Sequence, residues 1–212
     1  SQREKDIAAF HEAGHSLVAK SLPNADPVHK VSIVARGMMG GYTRQLPTED
    51  RYLMTRSQFN DTLAVLLGGR AAEELVFDEM TTGSESDIER ATNIARRMVT
   101  EYGMSSILGP RTFGHKQELI FLGREISEQR NYGDKVADRI DEEVDGLIET
   151  AHRTASKILT ERRAKLEQIA HRLIADETIE GETLQKLFDE PVPEPAPVPS
   201  LQPAPASIKL SE

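Results

Sequence analysis

The 212-residue sequence contains no cysteine, which excludes a disulfide framework, a thiolate-bound zinc site and a cysteine nucleophile. The absence of cysteine fits a reducing compartment but does not by itself establish one. No apolar run approaches the roughly 18 residues that a membrane-spanning helix needs. No signal peptide is apparent either. We therefore expect this chain by itself to be soluble.

Aromatic residues are also scarce, and basic residues are outnumbered by acidic ones. The chain has 26 Lys and Arg against 35 Asp and Glu, which gives a net charge of −9 and argues against a nucleic-acid-binding surface. Aromatic residues make up 5% of the sequence, whereas Ala, Leu, Ile, Arg and Glu are common. This composition favours a mostly α-helical domain, and the length is sufficient for a substantial core.

The most informative segment is His11-Glu12-Ala13-Gly14-His15, which has the pattern H-E-x-x-H. Apolar residues around it recur at helical spacing, so we predict a helix over residues 3–21. On a helix His11 and His15 lie on one face and can bind one metal ion, for which zinc is suited. Glu12 can then take a proton from a water on that metal. If the two histidines bound no metal, Glu12 would be a charged residue in an apolar helix without a role. Burying such a charge without a partner costs free energy.

A β-hairpin is predicted directly after this helix. Residues 28–34 alternate and are rich in β-branched side chains, residues 36–41 read as a turn, and residues 42–46 form a second short strand. An exposed strand can hold an extended peptide by main-chain pairing. The same residues are equally consistent with an ordinary hairpin that covers the core.

The remainder is predicted to be helical, apart from one long loop and the C-terminal end. The loop covers residues 104–126 and suits a substrate-covering role. Seven prolines between Pro191 and Pro205 predict an extended, disordered tail over residues 191–212, after a domain over residues 1–190. The predicted helices begin at a Thr55-x-x-Gln58 capping box and near Asp87, and cover about residues 134–160 and 162–175, with a short last helix after a turn at residues 178–181.

A catalytic zinc site needs a third protein ligand, and spacing alone does not identify it. Glu73 lies on a downstream helix, as the third ligand of thermolysin-like peptidases does. Asp87 lies in the first turn of a helix, where Ser84-x-x-Asp87 is also typical of a capping box. The candidates are the remaining histidines and three acidic residues: His29, His115, His152, His171, Glu73, Glu74 and Asp87.

Several separate motifs follow one another along the chain: the H-E-x-x-H segment, residues 41–43, residues 67–74, Thr81-Thr82-Gly83 with Asp87-Ile88, residues 91–99 and residues 102–105. In this order they closely resemble the FtsH family of ATP-dependent zinc proteases (peptidase family M41). The resemblance covers about residues 1–190. It implies that Asp87 is the third zinc ligand, that Glu73 orients His11 or His15, and that the strand at Gly41, Tyr42 and Thr43 pairs with substrate.

The resemblance further implies a homohexameric zinc endopeptidase that degrades unfolded or damaged proteins at the bacterial inner (plasma) membrane, with this domain on the cytoplasmic side. The chain has no G-x-x-x-x-G-K-[ST] motif, so it is expected to be an isolated protease domain. ATP would act only through an AAA+ domain that lies outside this chain. Contact with the membrane would likewise be made only by segments outside this chain. The alternative is a non-catalytic ring-forming assembly domain with a structural metal, which gives Glu12 no role.

Overall fold

The computed structural model describes residues 1–35, 40–116 and 128–193, and these residues form a mostly α-helical fold with a small antiparallel sheet. The predicted fold class is therefore confirmed. Within the described residues the helices are α1 (Gln2–Ser21), α2 (Arg56–Phe77), α3 (Glu85–Thr100), α4 (Asp134–Glu161), α5 (Arg163–Asp176) and α6 (Gly181–Asp189). The strands are β1 (Val28–Ser32), β2 (Tyr42–Gln45), β3 (His115–Lys116), β4 (Glu128–Gln129) and β5 (Thr178–Glu180).

Helices α1 and α2 approach each other so closely that their contact point has no room for side chains. A Cβ atom on Gly14 would lie 2.4 Å from the carbonyl oxygen of Gly68, and a Cβ on Gly68 would lie 3.0 Å from that of Gly14. Helix α2 begins at the predicted Thr55 and Gln58 capping box and runs through both adjacent glycines without a break. The absence of side chains on Gly14 and Gly68 therefore permits this close helix–helix contact.

The three-stranded sheet has the order β2-β1-β5, with both pairings antiparallel. The predicted hairpin of β1 and β2 is confirmed, although its turn residues 36–39 lie outside the described residues. The predicted turn at residues 178–181 is wrong, because Thr178–Glu180 forms β5, with Lys30 opposite Glu180 and Ser32 opposite Thr178. So short a strand depends on its distant partner, which the local sequence does not reveal.

The C-terminal helices pack through apolar stripes against the N-terminal elements. Helix α4 lies against α2 and α3, and α5 lies against α1. Their bounds agree with the predicted helices within one residue. The buried apolar side chains of α4 and α5 are Ile140, Val144, Ala151, Ala155, Leu159, Leu166, Ile169, Ala170 and Leu173.

The predicted long loop and tail are described only in part. Residues 104–114 contain no helix or strand, β3 pairs with β4, and residues 117–127 lie outside the described residues. Most of the predicted tail, residues 194–212, also lies outside them. Within the described ranges, no helix combines the length and apolar character required to cross a membrane.

Candidate metal centre

Helix α1 carries His11, Glu12 and His15 into the interior, where each is less than 10% exposed. They are buried because the middle of α1 packs against α2, α5 and β1. Asp87, in the first turn of α3, completes the group. Its Oδ2 lies 3.2 Å from His11 Nε2 and 3.1 Å from His15 Nε2, and the two Nε2 atoms lie 3.0 Å apart.

These separations fit a tetrahedral zinc site. Zinc bonds nitrogen or oxygen at about 2.0–2.1 Å, so two ligands in a tetrahedron lie about 3.3 Å apart. The observed 3.0–3.2 Å separations differ from that value by a few tenths of an ångström. Two imidazoles and one carboxylate, His11, His15 and Asp87, also form a donor set typical of a catalytic site that keeps one position open for water.

Hydrogen bonds at the far side of each imidazole aim its Nε2 at Asp87. His11 Nδ1 lies 2.6 Å from Glu73 Oε1, and His15 Nδ1 lies 2.7 Å from the carbonyl oxygen of Val65. Both partners are acceptors, so each Nδ1 carries a proton. In the neutral imidazole that binds a metal, each Nε2 then directs its lone pair into the site. Glu73 is itself held, because its Oε2 accepts a hydrogen bond from the Thr81 N–H at 2.8 Å.

Glu73 therefore lies behind His11 and not beside the ligand atoms, as a thermolysin-like arrangement would require. The capping-box interpretation of Ser84 and Asp87 is wrong. Ser84 precedes α3 but makes no capping hydrogen bond, and its buried hydroxyl has no partner among the described residues. The Asp87 carboxylate instead faces the two histidines, because α3 packs against α2 and α4 with its first turn near them.

The electrostatics of the site favour a cation. Burial opposes charge on His11, but hydrogen bonds with Asp87 and Glu73 outweigh burial and raise its pKa to about 9. Burial likewise acts against charge on the carboxyls of Asp87 and Glu73. Their hydrogen bonds with the histidines nevertheless hold the pKa of each below its ordinary value. A site that stabilises positive charge among ionised carboxylates also suits a divalent metal ion.

Strand β2 runs beside Glu12. The Thr43 hydroxyl lies 2.7 Å from Glu12 Oε2, and a Cβ atom on Gly41 would lie 2.9 Å from Glu12 Oε1. Tyr42 lies on the other face of the sheet, where it interacts with Lys30. The structure thus brings Gly41 and Thr43 to Glu12 and directs Tyr42 away from it.

The backbone of Thr43 faces the free edge of β2. The Ile33 N–H donates to the Glu177 oxygen at 2.9 Å, so the backbone groups of Ile33 face the β5 side of β1. Backbone N–H and C=O groups alternate in direction from one residue of a strand to the next, so those of Lys30 and Ser32 face β2. Their partners are Arg44 and Tyr42. Thr43, between these two, therefore directs its N–H and C=O away from β1. Among the described strands, nothing pairs with that side of β2.

Sequence reasoning missed three residues that shape the site: Val65, Gly69 and Thr81. Val65 acts through its backbone oxygen, which leaves no side-chain signal, and Thr81 contacts Glu73 chiefly through its backbone N–H. Gly69 gives His11 its space, since a Cβ there would lie 2.5 Å from the His11 ring. Two adjacent glycines inside a helix indicate a close helix–helix approach or a kink, but they do not indicate that the neighbour of Gly69 is an imidazole.

Comparison with known proteins gives consistent results. A sequence model described as peptidase family M41 matches residues 1–187. The ATP-dependent zinc metalloprotease FtsH 1 of Sphaerobacter thermophilus is 62% identical over 214 residues, covering 100% of this chain and 33% of that protein. The protein of the same name from Thermomicrobium roseum is 62% identical over 195 residues, covering 92% of this chain and 30% of that protein. The chain spans about a third of the length of these relatives.

Proposed function

Because the chain belongs to peptidase family M41, we propose that it is the zinc endopeptidase domain of an FtsH-like ATP-dependent protease. The observation that carries the proposal is the convergence of His11 Nε2, His15 Nε2 and Asp87 Oδ2 beside the carboxylate of Glu12. A non-catalytic assembly domain would need the metal ligands but not the adjacent Glu12. The zinc metalloprotease relatives also favour the enzyme.

Each residue has a distinct role in peptide hydrolysis. His11, His15 and Asp87 hold zinc, which when bound lowers the pKa of water and polarises a carbonyl group. Glu12 accepts a proton from the attacking water and returns it to the leaving nitrogen. Glu73 orients His11 through the Nδ1–H hydrogen bond.

The free edge of β2 is proposed to bind substrate through Gly41, Tyr42 and Thr43. An extended peptide that pairs with the Thr43 N–H and C=O would be held by main-chain hydrogen bonds, which depend little on side-chain identity. This suits unfolded proteins or peptides as substrates. A peptide N-methylated at the pairing position should bind more weakly, with a higher KM, than its unmethylated counterpart. Equal KM values for the two peptides would argue against strand pairing.

The larger assembly is proposed from the family resemblance and from the relatives, which are named ATP-dependent. The domain over residues 1–190 would receive unfolded chains from an AAA+ ATPase within a homohexamer. The complete protein would be anchored in the bacterial inner membrane, with this domain on the cytoplasmic side. Residues 191–212 would form a tail outside the catalytic domain.

Anomalous diffraction from zinc-loaded crystals tests the ligand assignment. The anomalous peak should lie within about 2.0–2.2 Å of His11 Nε2, His15 Nε2 and one oxygen of Asp87. Coordination by Glu73 in place of Asp87 would overturn the assignment.

Metal removal tests the activity. Chelation should abolish cleavage of unfolded casein, and restoring zinc should recover it, because the proposed site supplies the reactive water only with its metal. Cleavage that persists in the chelated protein would overturn the proposal. Zinc binding without any cleavage, by the complete protein supplied with ATP, would favour the assembly domain.

A further inference from the structure

We propose that strand β2 positions the general base, with Thr43 holding one oxygen of Glu12 and Gly41 making room for the other. This inference rests on the proposed function, since it concerns how Glu12 is aimed in the peptidase reaction. It gives Thr43 a side-chain role in addition to the main-chain pairing proposed above. Thr43 and Gly41 are positioning residues in this scheme, because they act through Glu12.

The first observation is the hydrogen bond between Thr43 and Glu12. The Thr43 hydroxyl donates to Glu12 Oε2 at 2.7 Å, whereas the backbone oxygen of Glu12 lies 3.3 Å away. The shorter contact is in the range of a hydroxyl donating to an ionised carboxylate, which is stronger than a neutral hydrogen bond. Glu12 is only 7% exposed, so water competes little for this oxygen. The hydrogen bond therefore restricts rotation of the carboxylate.

The second observation is the space left by Gly41. A Cβ atom at this position would lie 2.9 Å from Glu12 Oε1 and 3.0 Å from Glu12 Cγ. It would also lie 2.9 Å from the backbone oxygen of Ser32, which cannot move aside easily because β1 is paired on both sides. Any side chain at residue 41 would consequently displace either the Glu12 carboxylate or the start of β2.

The sheet fixes the position of Thr43 relative to α1. Thr43 pairs with Val31, which is fully buried, and Val31 pairs with Ile179, so these three side chains share the inner face. The opposite face carries the ion pair between Lys30 and Glu180 at 2.9 Å. Thr43 thus directs its hydroxyl inward to Glu12 while its backbone groups face the free edge. One residue connects the proposed substrate edge with the base.

The decisive variant is Thr43→Val, which removes the hydroxyl but keeps the β-branched shape and the backbone. Its kcat should fall about tenfold to a hundredfold in cleavage of a quenched fluorogenic peptide. The assay uses the zinc-loaded chain, or the complete protein with ATP if the chain alone is inactive. KM should stay within about twofold of wild type, since the substrate edge is intact. Thr43→Ser restores a hydroxyl at the same position and should recover most of kcat.

Gly41 and Gly40 provide an independent test of the proposal. Gly41→Ala should lower kcat because its methyl group meets the Glu12 carboxylate. Gly40→Ala is the matched control, since a Cβ on Gly40 has no neighbour within 4 Å and should leave kcat unchanged. Zinc content and the far-UV circular dichroism spectrum are measured for every variant.

The outcomes separate the two proposals. A Thr43→Val protein with wild-type kcat, or one that loses its zinc or its fold, would overturn the positioning role while leaving the peptidase assignment in place. Equal activities of Gly41→Ala and Gly40→Ala would also overturn it. Failure of the peptidase proposal shows differently, as absence of zinc-dependent cleavage in wild type or full activity in Glu12→Gln.

Discussion

The metal-binding region and the C-terminal helices of this protein are built in different ways. The interior of α1 to α3 and the sheet contains buried polar side chains at the site and around it, including Glu12, Glu73 and Ser32. In α4 to α6 the buried side chains are apolar with one exception, Lys165. The first region is thus positioned by directed hydrogen bonds and the second mainly by apolar volume.

Lys165 lies in the second region, but specific hydrogen bonds hold it in place, as they do the buried polar side chains of the first region. Its Nζ donates to the backbone oxygens of Leu187 and Glu190, at the end of α6. Burial and the neighbouring Arg162 lower the pKa of Lys165. A buried charge therefore needs specific partners wherever it occurs, whereas the apolar stripes need only shape and area.

The largest effect in this comparison is expected for Glu12→Gln. The change is nearly isosteric and keeps α1 and the three ligands, but the amide cannot accept the proton, so kcat should fall about 10²- to 10⁴-fold. Zinc content by mass spectrometry and the thermal midpoint should stay close to wild type. Turnover near the wild-type rate would refute Glu12 as the base.

The C-terminal region should respond through stability and not through chemistry. Leu159→Ala truncates a fully buried side chain of α4 and should lower the free energy of unfolding by about 2–5 kcal/mol in urea titrations. Activity per folded molecule should not change. The control is Leu53→Ala, since Leu53 is 85% exposed and its truncation should stay within about 0.5 kcal/mol. Equal effects of the two truncations would contradict this division.

A smaller effect is expected one contact away from the metal. Glu73→Gln weakens the hydrogen bond that orients His11, so zinc affinity in competition with a chelating dye should fall about tenfold to a hundredfold. Glu74→Gln is the matched control, because Glu74 contacts Arg70 and His152 instead of a ligand. Equal zinc affinities for both variants would remove the orienting role.

The smallest effects come from a pair of helix glycines, and they should have opposite signs. Gly14→Ala forces a methyl group against the Gly68 carbonyl and should destabilise the fold by about 1–3 kcal/mol. Gly146 in α4 has no atom within 4 Å of the Cβ position, so Gly146→Ala should stabilise by about 0.5–1 kcal/mol. Thermal unfolding measures both, and a Gly14→Ala protein at least as stable as wild type would show that α1 and α2 can separate without cost.

The C-terminal helices were easier to predict from the sequence than the small sheet beside the metal-binding region. The stripes of α4 and α5 repeat every three to four residues, so the sequence predicted both helices within one residue. Strand β5 was missed because three residues carry too little pattern to distinguish a strand from a turn. Its existence depends on pairing with β1, nearly 150 residues earlier in the chain.

What the sequence determined by itself is the chemistry that lies within one turn of α1. His11, Glu12 and His15 are joined by the covalent geometry of a helix, so their spacing places two imidazoles on one face whatever surrounds them. The tertiary structure decided the position of Asp87 beside both Nε2 atoms, the position of Glu73 behind His11, and the hydrogen bond from Thr43 to Glu12. These contacts join residues 31 to 76 positions apart. They depend on how whole helices and strands pack together, which periodicity along the chain does not encode.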